Sequence, residues 1–158
     1  MSLTSRQERI MEGAAYWGAF YRKNPDKFAE DYLHIRLRLF QRIVLVMMFW
    51  STTSVFCACR GIGKSFLSAV YCCIRCILWP GSKVCIASGS RGQACNVLEK
   101  ILYELKPASP ELCLEIDNKE TKMNGTNAQI VFKNGSYIKV VTASDTARGK
   151  TNVGDKNL

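Results

Sequence analysis

Apolar residues first recur at helical spacing near the N-terminus. Tyr16, Trp17, Phe20, Tyr21 and Phe28, interrupted by Asn24-Pro25, predict two short amphipathic helices and a turn between about Gly13 and Asp31. Leu33 to Met48 predicts a further helix. Its early part, I-R-L-R-L-F-Q-R, alternates basic and apolar residues, which also fits a strand, before the run turns almost wholly apolar. Val55 to Cys59 is a short β-branched and aromatic run and reads as a buried strand that stops at Arg60. Gly61 and Gly63 break it. Phe66, Leu67, Val70, Ile74, Ile77 and Leu78 then recur every three or four positions, as on one face of a helix. Trp79-Pro80-Gly81 is a stop signal, and Lys83 to Ala87 reads as a second buried strand, completing a β-α-β unit with parallel strands and a right-handed crossover. A helix from Ala94 to Leu105 follows, ended by Pro107 and Pro110. Gln129 to Lys133 and Ser136 to Thr142 flank Asn134-Gly135, a strong hairpin signal, and predict antiparallel strands. Ser144 to Leu158 is polar and without periodicity.

The passage from the first strand into its helix carries the chemistry. Ala58, Cys59, Arg60, Gly61, Ile62, Gly63, Lys64 and Ser65 match G-x-x-x-x-G-K-[ST] except that Ala58 stands at the first glycine. Gly61 and Gly63 reach backbone angles closed to other residues, so that successive N–H groups converge as an anion nest. The helix beginning near Lys64 adds its unpaired N–H groups and positive dipole end. Lys64 would reach the β- and γ-phosphates and the Ser65 hydroxyl would coordinate Mg²⁺. The expected ligand is a nucleoside triphosphate with Mg²⁺; the alternative is a glycine-rich helix entry in some other α/β domain.

Composition narrows the partners. The formal net charge of +9 favours a polyanion, although a basic surface kept for solubility has the same composition. Arg36, Arg38 and Arg42 fit either phosphate contacts or a solvated basic face. Ile43 to Trp50, the longest apolar run, is far short of the roughly 20 residues of a membrane span, and the N-terminus lacks the apolar core of a secretion signal. Of the eight cysteines, Cys57 and Cys59 fall on the expected strand and Cys72, Cys73 and Cys76 on the following helix, where they read as packing residues in a reducing cytosol. Cys73 and Cys76 have a zinc-like spacing, but no second pair follows and His34 is distant. Glu115 and Asp117 in L-C-L-E-I-D-N read as an alternating, half-exposed strand, with a catalytic acid as the other reading. Ser88 to Gln93 leaves the second strand on the ligand face; its polar members Arg91 and Gln93 have either a functional role or one in turning and capping the next helix.

Several pieces in order, N-P-D-K-F-A-E-D-Y-L, L-F-Q-R-I-V-L-V-M-M, C-R-G-I-G-K-S, I-A-S-G-S-R-G-Q-A and A-S-D-T-A-R-G, resemble the ATPase domain of the large terminase subunit of tailed bacteriophages. The resemblance runs from about Tyr21 to Asn152. It implies an α/β fold with a P-loop NTPase-type parallel-sheet core, flanking helices and an added antiparallel hairpin, with residues 1–38 as a helical lead-in and 39–158 as a partial ATPase domain. It also implies ATP and Mg²⁺ as cofactors and Phe40-Gln41 as the adenine-side element, with Gln41 reading the base edge and Phe40 packing near it; helix residues of the core are the other reading. Arg60 would act as an arginine finger, with a structural salt bridge as the other reading, and Arg91, Gln93, Arg148 and Gly149 would be linked to coupling or DNA. Double-stranded DNA, a portal protein, the small terminase subunit and a homo-oligomeric ring are the implied partners, in the cytoplasm of a bacterial host and not in a membrane.

The match breaks after Arg148-Gly149, where the family has a strand ending in two acidic residues. Val153 to Leu158 reads V-G-D-K-N-L instead, and Asp155 comes too early to be aimed by a strand. The expectation is a fold incomplete at its C-terminus and lacking the family's nuclease domain, an N-terminal fragment that binds ATP and hydrolyses it weakly alone. A nucleotide-binding or interaction module without hydrolysis and a helicase-type ATPase are the alternatives.

Overall fold

The computed structural model describes residues 5–123 and 128–142. Helix α1 spans Ser5–Lys23 and α2 spans Pro25–Asp31, separated at Asn24-Pro25 as the sequence predicts, with Pro25 at the first helical turn where its missing N–H is harmless. The next helix, α3, begins only at Leu39 and runs to Trp50. The expected helix from Leu33 is thus shortened, because His34 takes a left-handed φ of 56° and residues 32–38 continue irregularly, burying Leu33 and Ile35 while His34 and Arg36 face solvent.

Helix α4, Lys64–Leu78, is the central element. It buries Val70, Cys73 and Ile74 among others, as its apolar spacing predicts. Its last carbonyls are satisfied from a distance: Cys76 O accepts from Asn134 Nδ2 at 2.7 Å and Ser136 Oγ at 2.9 Å, and Leu78 O accepts from Arg22 Nη2 at 2.8 Å. Trp79 ends the helix and joins three elements, with Phe49 of α3 stacked on it and the Arg75 guanidinium 4.5 Å and Arg22 guanidinium 5.6 Å from its ring.

Strand β1, Lys83–Ser88, precedes helix α5, Arg91–Lys100, which runs through a wide π turn at Ile101–Leu105 into α6, Lys106–Ala108. Pro107 does not end the helical run, because the π turn shifts Lys106 N–H onto Ile101 O and so rearranges the ladder ahead of a residue with no N–H. The break falls at Ser109, whose Oγ caps α7, Pro110–Glu115, by accepting from Leu112 N at 3.2 Å. The strand expected around Glu115 and Asp117 is therefore mostly helix: Ser109-Pro110 is a start signal, and only Ile116 pairs with the sheet, opposite Phe132.

Strands β2, Lys122–Met123, β3, Ala128–Val131, and β4, Tyr137–Thr142, complete a sheet of order β1-β4-β3-β2. The β3–β4 hairpin forms as expected around Asn134-Gly135, with Gly135 at φ 82°. The fold is mixed α/β. Only β1 and β4 are parallel, in register from Lys83 opposite Tyr137 to Ser88 opposite Thr142; the other pairs are antiparallel. Ile130, Phe132, Ile138 and Val140 are buried on the face covered by the helices, together with Leu98, Ile101 and Leu112. Lys83, Cys85 and Ala87 on the other face are exposed, so β1 is half-buried rather than the fully buried strand expected. Phe28, Ala29 and Leu33 belong to this same core.

Candidate functional site

Residues 51–63 connect α3 to α4. The expected strand Val55 to Cys59 is not formed: these residues belong to no ladder and all are exposed, Val55 to 90%. A strand needs a partner for its N–H and C=O groups. One edge of β1 is taken by β4; β1 stands at the end of the sheet order, and among the described residues 55–59 do not pair with its other edge. The β-α-β unit expected from the sequence is accordingly absent among the described residues, and β1 finds its parallel partner in β4. Cys57 and Cys59 are exposed and are not the packing residues that a buried strand would make them, whereas Cys72, Cys73 and Cys76 are buried.

The turn itself has the geometry that the glycine positions require. Gly61 has φ 82° and Gly63 φ 93°, both left-handed, and α4 starts directly at Lys64. Gly63 caps α4 with no side-chain hydrogen bond, so the N–H groups of its first turn lack an intrahelical acceptor, and the first helical bond runs from Leu67 N to Gly63 O at 2.9 Å. The Lys64 ammonium folds back over the turn and donates to Ala58 O and Cys59 O, both at 2.7 Å. Those carbonyls are ones that a strand would have used. Lys64 and Ser65 are exposed, and Arg60 is exposed without a hydrogen bond or ion pair among the described residues.

Beside the turn lies a cavity of about 570 Å³, walled by Phe40, Val44 and Met48 of α3, by Val55, Phe56 and Ala58, and by Gly63, Lys64 and Leu67 at the start of α4. Its size is in the range of small-molecule sites. Phe40, expected from the resemblance, lines it. Gln41 reaches the turn: its Oε1 accepts from Arg38 N at 3.0 Å, holding the first turn of α3, while its Nε2 lies so near Gly63 that a Cβ there would be 3.1 Å away. Val44, Met48, Val55 and Phe56 are wall residues that the sequence reading assigned to core helix or strand. The i, i+4, i+8 spacing of Phe40, Val44 and Met48 is the signal that could have found this wall.

The remaining expected residues lie apart from the turn. Gln93 accepts from Ser88 Oγ at 2.9 Å through its side chain and donates its N–H to Ser90 Oγ at 3.4 Å, the capping role weighed in the sequence; Arg91 opens α5. Arg42 pairs with Asp26 at 2.7 Å, tying α3 to α2, while Arg36 and Arg38 are exposed. Glu115 accepts from the Tyr32 hydroxyl at 3.0 Å, and Asp117 Oδ1 accepts from Lys119 N at 2.8 Å, both structural uses. Arg148 and Gly149, and the stretch Ser144 to Leu158, lie outside the described residues. Among the described residues no cluster of three or more His, Cys, Asp or Glu side chains could hold a metal, and no helix is long and apolar enough to cross a membrane. The turn and cavity therefore join a helix N-terminus without a side-chain cap, a lysine and an apolar pocket in one place. No protein-family model matches this chain, and no curated protein matches it either.

Proposed function

We propose that the chain binds ATP at the turn from Ala58 to Ser65 and is the nucleotide-binding part of a terminase-like motor acting on double-stranded DNA. The observation that carries the nucleotide reading is the pairing of two left-handed glycines with a helix starting at Lys64 whose first N–H groups are uncapped. Main-chain N–H groups there suit the triphosphate, and Lys64 exchanges the Ala58 and Cys59 carbonyls for phosphate oxygens, a stronger charge-assisted partner. The Ser65 hydroxyl, exposed at the start of α4, would ligate Mg²⁺ held by the phosphates. When bound, ATP with Mg²⁺ supplies the phosphoryl group and the charge neutralisation of its transfer. The apolar wall of Phe40, Val44 and Met48 suits the base, with Gln41 Nε2 as a donor at its edge. Arg60, unpartnered among the described residues, is free to approach a γ-phosphate from the same subunit or a neighbouring one in a ring.

The terminase-like part of the reading rests on the order of motifs along the chain, and DNA as partner on the net charge of +9. Portal protein and small terminase subunit follow as partners from the same order of motifs. The test is titration of a fluorescent ATP analogue with Mg²⁺, followed by phosphate release with and without double-stranded DNA. Saturable binding lost in Lys64→Ala, and DNA-stimulated release lost with it, support the full reading. Binding without release leaves a nucleotide-binding module. Absence of binding removes the reading altogether.

A further inference from the structure

Of the eight thiols, three are buried, four are exposed and Cys95 is half-buried. Cys72, Cys73 and Cys76 are buried in α4, and burial pushes Cys72 and Cys76 up to about 12 and Cys73 well above its ordinary value. Cys57 and Cys59 stand exposed on either side of Ala58, Cys59 within the turn that Lys64 spans and Cys57 one residue before it. Cys57 lines the cavity, and the main-chain carbonyl of Cys59 is one of the two acceptors of the Lys64 ammonium at 2.7 Å. A substituent on the Cys57 sulfur would sit at the mouth of the proposed nucleotide site, and Cys59 lies two residues further along the same exposed segment.

From this juxtaposition of paired exposed thiols, a lysine and the cavity mouth, we propose that Cys57 and Cys59 form a thiol-modification site where a mixed disulfide with a small anionic thiol of the glutathione class closes the phosphate turn. The inference rests on the nucleotide reading for its consequence, though not for the modification itself. The reaction is thiol–disulfide exchange. The Cys57 or Cys59 sulfur, as thiolate, attacks one sulfur of glutathione disulfide; the existing S–S bond breaks, a protein–glutathione S–S bond forms, and a glutathione thiolate leaves and takes up a proton. Excess reduced thiol reverses it with the same balance.

Electrostatics favour this pair over the other exposed thiols. Glutathione disulfide is anionic at neutral pH, and the turn gathers the Lys64 ammonium, the Arg60 guanidinium and the uncapped N-terminus of α4. A site shaped to draw phosphates draws carboxylates by the same field. Cys85 lies on the open face of β1, and Cys113 donates to Lys106 O at 3.1 Å near the end of α7. Neither adjoins the cavity. Once attached, the tripeptide fills the cavity mouth and its carboxylates occupy the Lys64 donors, so the triphosphate is excluded.

The experiment treats the full chain with glutathione disulfide, maps adducts by mass spectrometry over time, and titrates a fluorescent ATP analogue before treatment, after it, and after reduction with dithiothreitol. Adducts should appear at Cys57 and Cys59 ahead of Cys85 and Cys113, affinity should fall by about tenfold or more, and reduction should restore it. The Cys85→Ser/Cys113→Ser variant should lose affinity on treatment as the natural sequence does. In Cys57→Ser/Cys59→Ser the ratio of treated to untreated affinity should approach one. Adducts confined to Cys85 and Cys113, or loop adducts with unchanged affinity, overturn the proposal. If the reduced, untreated protein fails to bind ATP, the nucleotide reading falls and the closure with it, while the relative rates of adduct formation still decide whether the pair is the modification site.

Discussion

Gln41 packs against the main chain of Gly63, so that a Cβ at position 63 would stand 3.1 Å from Gln41 Nε2. The contact joins the first turn of α3 to the first turn of α4, and Gln41 is held in it by the hydrogen bond from Arg38 N to its Oε1. A side chain at 63 meets two penalties. It must adopt φ 93°, and it must displace an amide that is already anchored.

Gly63→Ala should therefore lower stability by about 1–2 kcal/mol from the left-handed backbone alone. Nucleotide affinity should fall further than in Gly61→Ala, where φ is 82° but nothing lies within 4 Å of the added methyl. Urea unfolding of both variants, paired with titration of an ATP analogue, checks the difference. Equal losses of affinity would mean that the Gln41 contact is irrelevant to the site.

Cys76 O, near the C-terminus of α4, receives two long-range donors, Asn134 Nδ2 and Ser136 Oγ. Asn134→Ala or Ser136→Ala alone leaves one of them in place and should cost about 1 kcal/mol each. The double variant leaves the carbonyl without either and should lose more than the sum of the two, as neighbours sharing one partner do. Denaturant midpoints of the three variants decide it; simple additivity would show that the two donors act independently.

Burial raises the Tyr32 hydroxyl above its ordinary value of 10.0, and its hydrogen bond to Glu115 and that carboxylate's charge raise it further. The folded state thus holds this proton more tightly than the unfolded chain. The corresponding stability is fully present below about pH 10 and is lost as pH rises from there toward the folded value. Tyr32→Phe should flatten the alkaline limb of the stability–pH curve, measured by thermal unfolding between neutral pH and the alkaline range. An unchanged slope would exclude Tyr32 as its source.

Native labelling with a small neutral maleimide should modify Cys57, Cys59, Cys85 and Cys113, which are exposed, and spare Cys72, Cys73 and Cys76 until the chain unfolds. Peptide mapping in buffer and in urea reads this directly. Early labelling of the α4 thiols would mean that α4 opens without global unfolding.

Asp26→Asn removes the carboxylate that Arg42 meets at 2.7 Å and should lower the melting temperature more than Glu30→Gln. The Lys27–Glu30 pair is 46% and 44% exposed and lies within one helix, whereas Asp26 is only 16% exposed and its pair joins α2 to α3. Thermal melts at low and high salt compare the two; equal effects would place the α2–α3 junction elsewhere.

Local signals along the chain determine much of this molecule. The break at Asn24-Pro25, the helix from Lys64 to Leu78, the stop at Trp79 and the hairpin at Asn134-Gly135 depend on a proline's missing N–H, on apolar spacing and on a glycine's positive φ, all carried by neighbouring residues. The glycine-lysine turn was legible for the same reason. Its left-handed angles at Gly61 and Gly63 are properties of glycine and of a helix start, and need no distant partner.

Tertiary structure decided what depends on partners. Val55 to Cys59 has the composition of a strand, yet a strand exists only where another supplies its hydrogen bonds; 55–59 pairs with nothing among the described residues, while β1 takes its parallel partner from β4, some fifty residues further along. His34 stops a helix that the apolar run Leu33 to Met48 would permit, because Leu33 and Ile35 both find the core only if the chain turns between them. Ser109-Pro110 reads as a stop from one side and a start from the other, and the packing of Leu112 and Ile116 chooses the start. The meeting of Gln41 with Gly63 and the wall formed by Phe40, Val44 and Met48 belong to this class too. Residues far apart in the chain come together only when two helices dock, and docking is set by the summed burial of both, which no single stretch of sequence encodes.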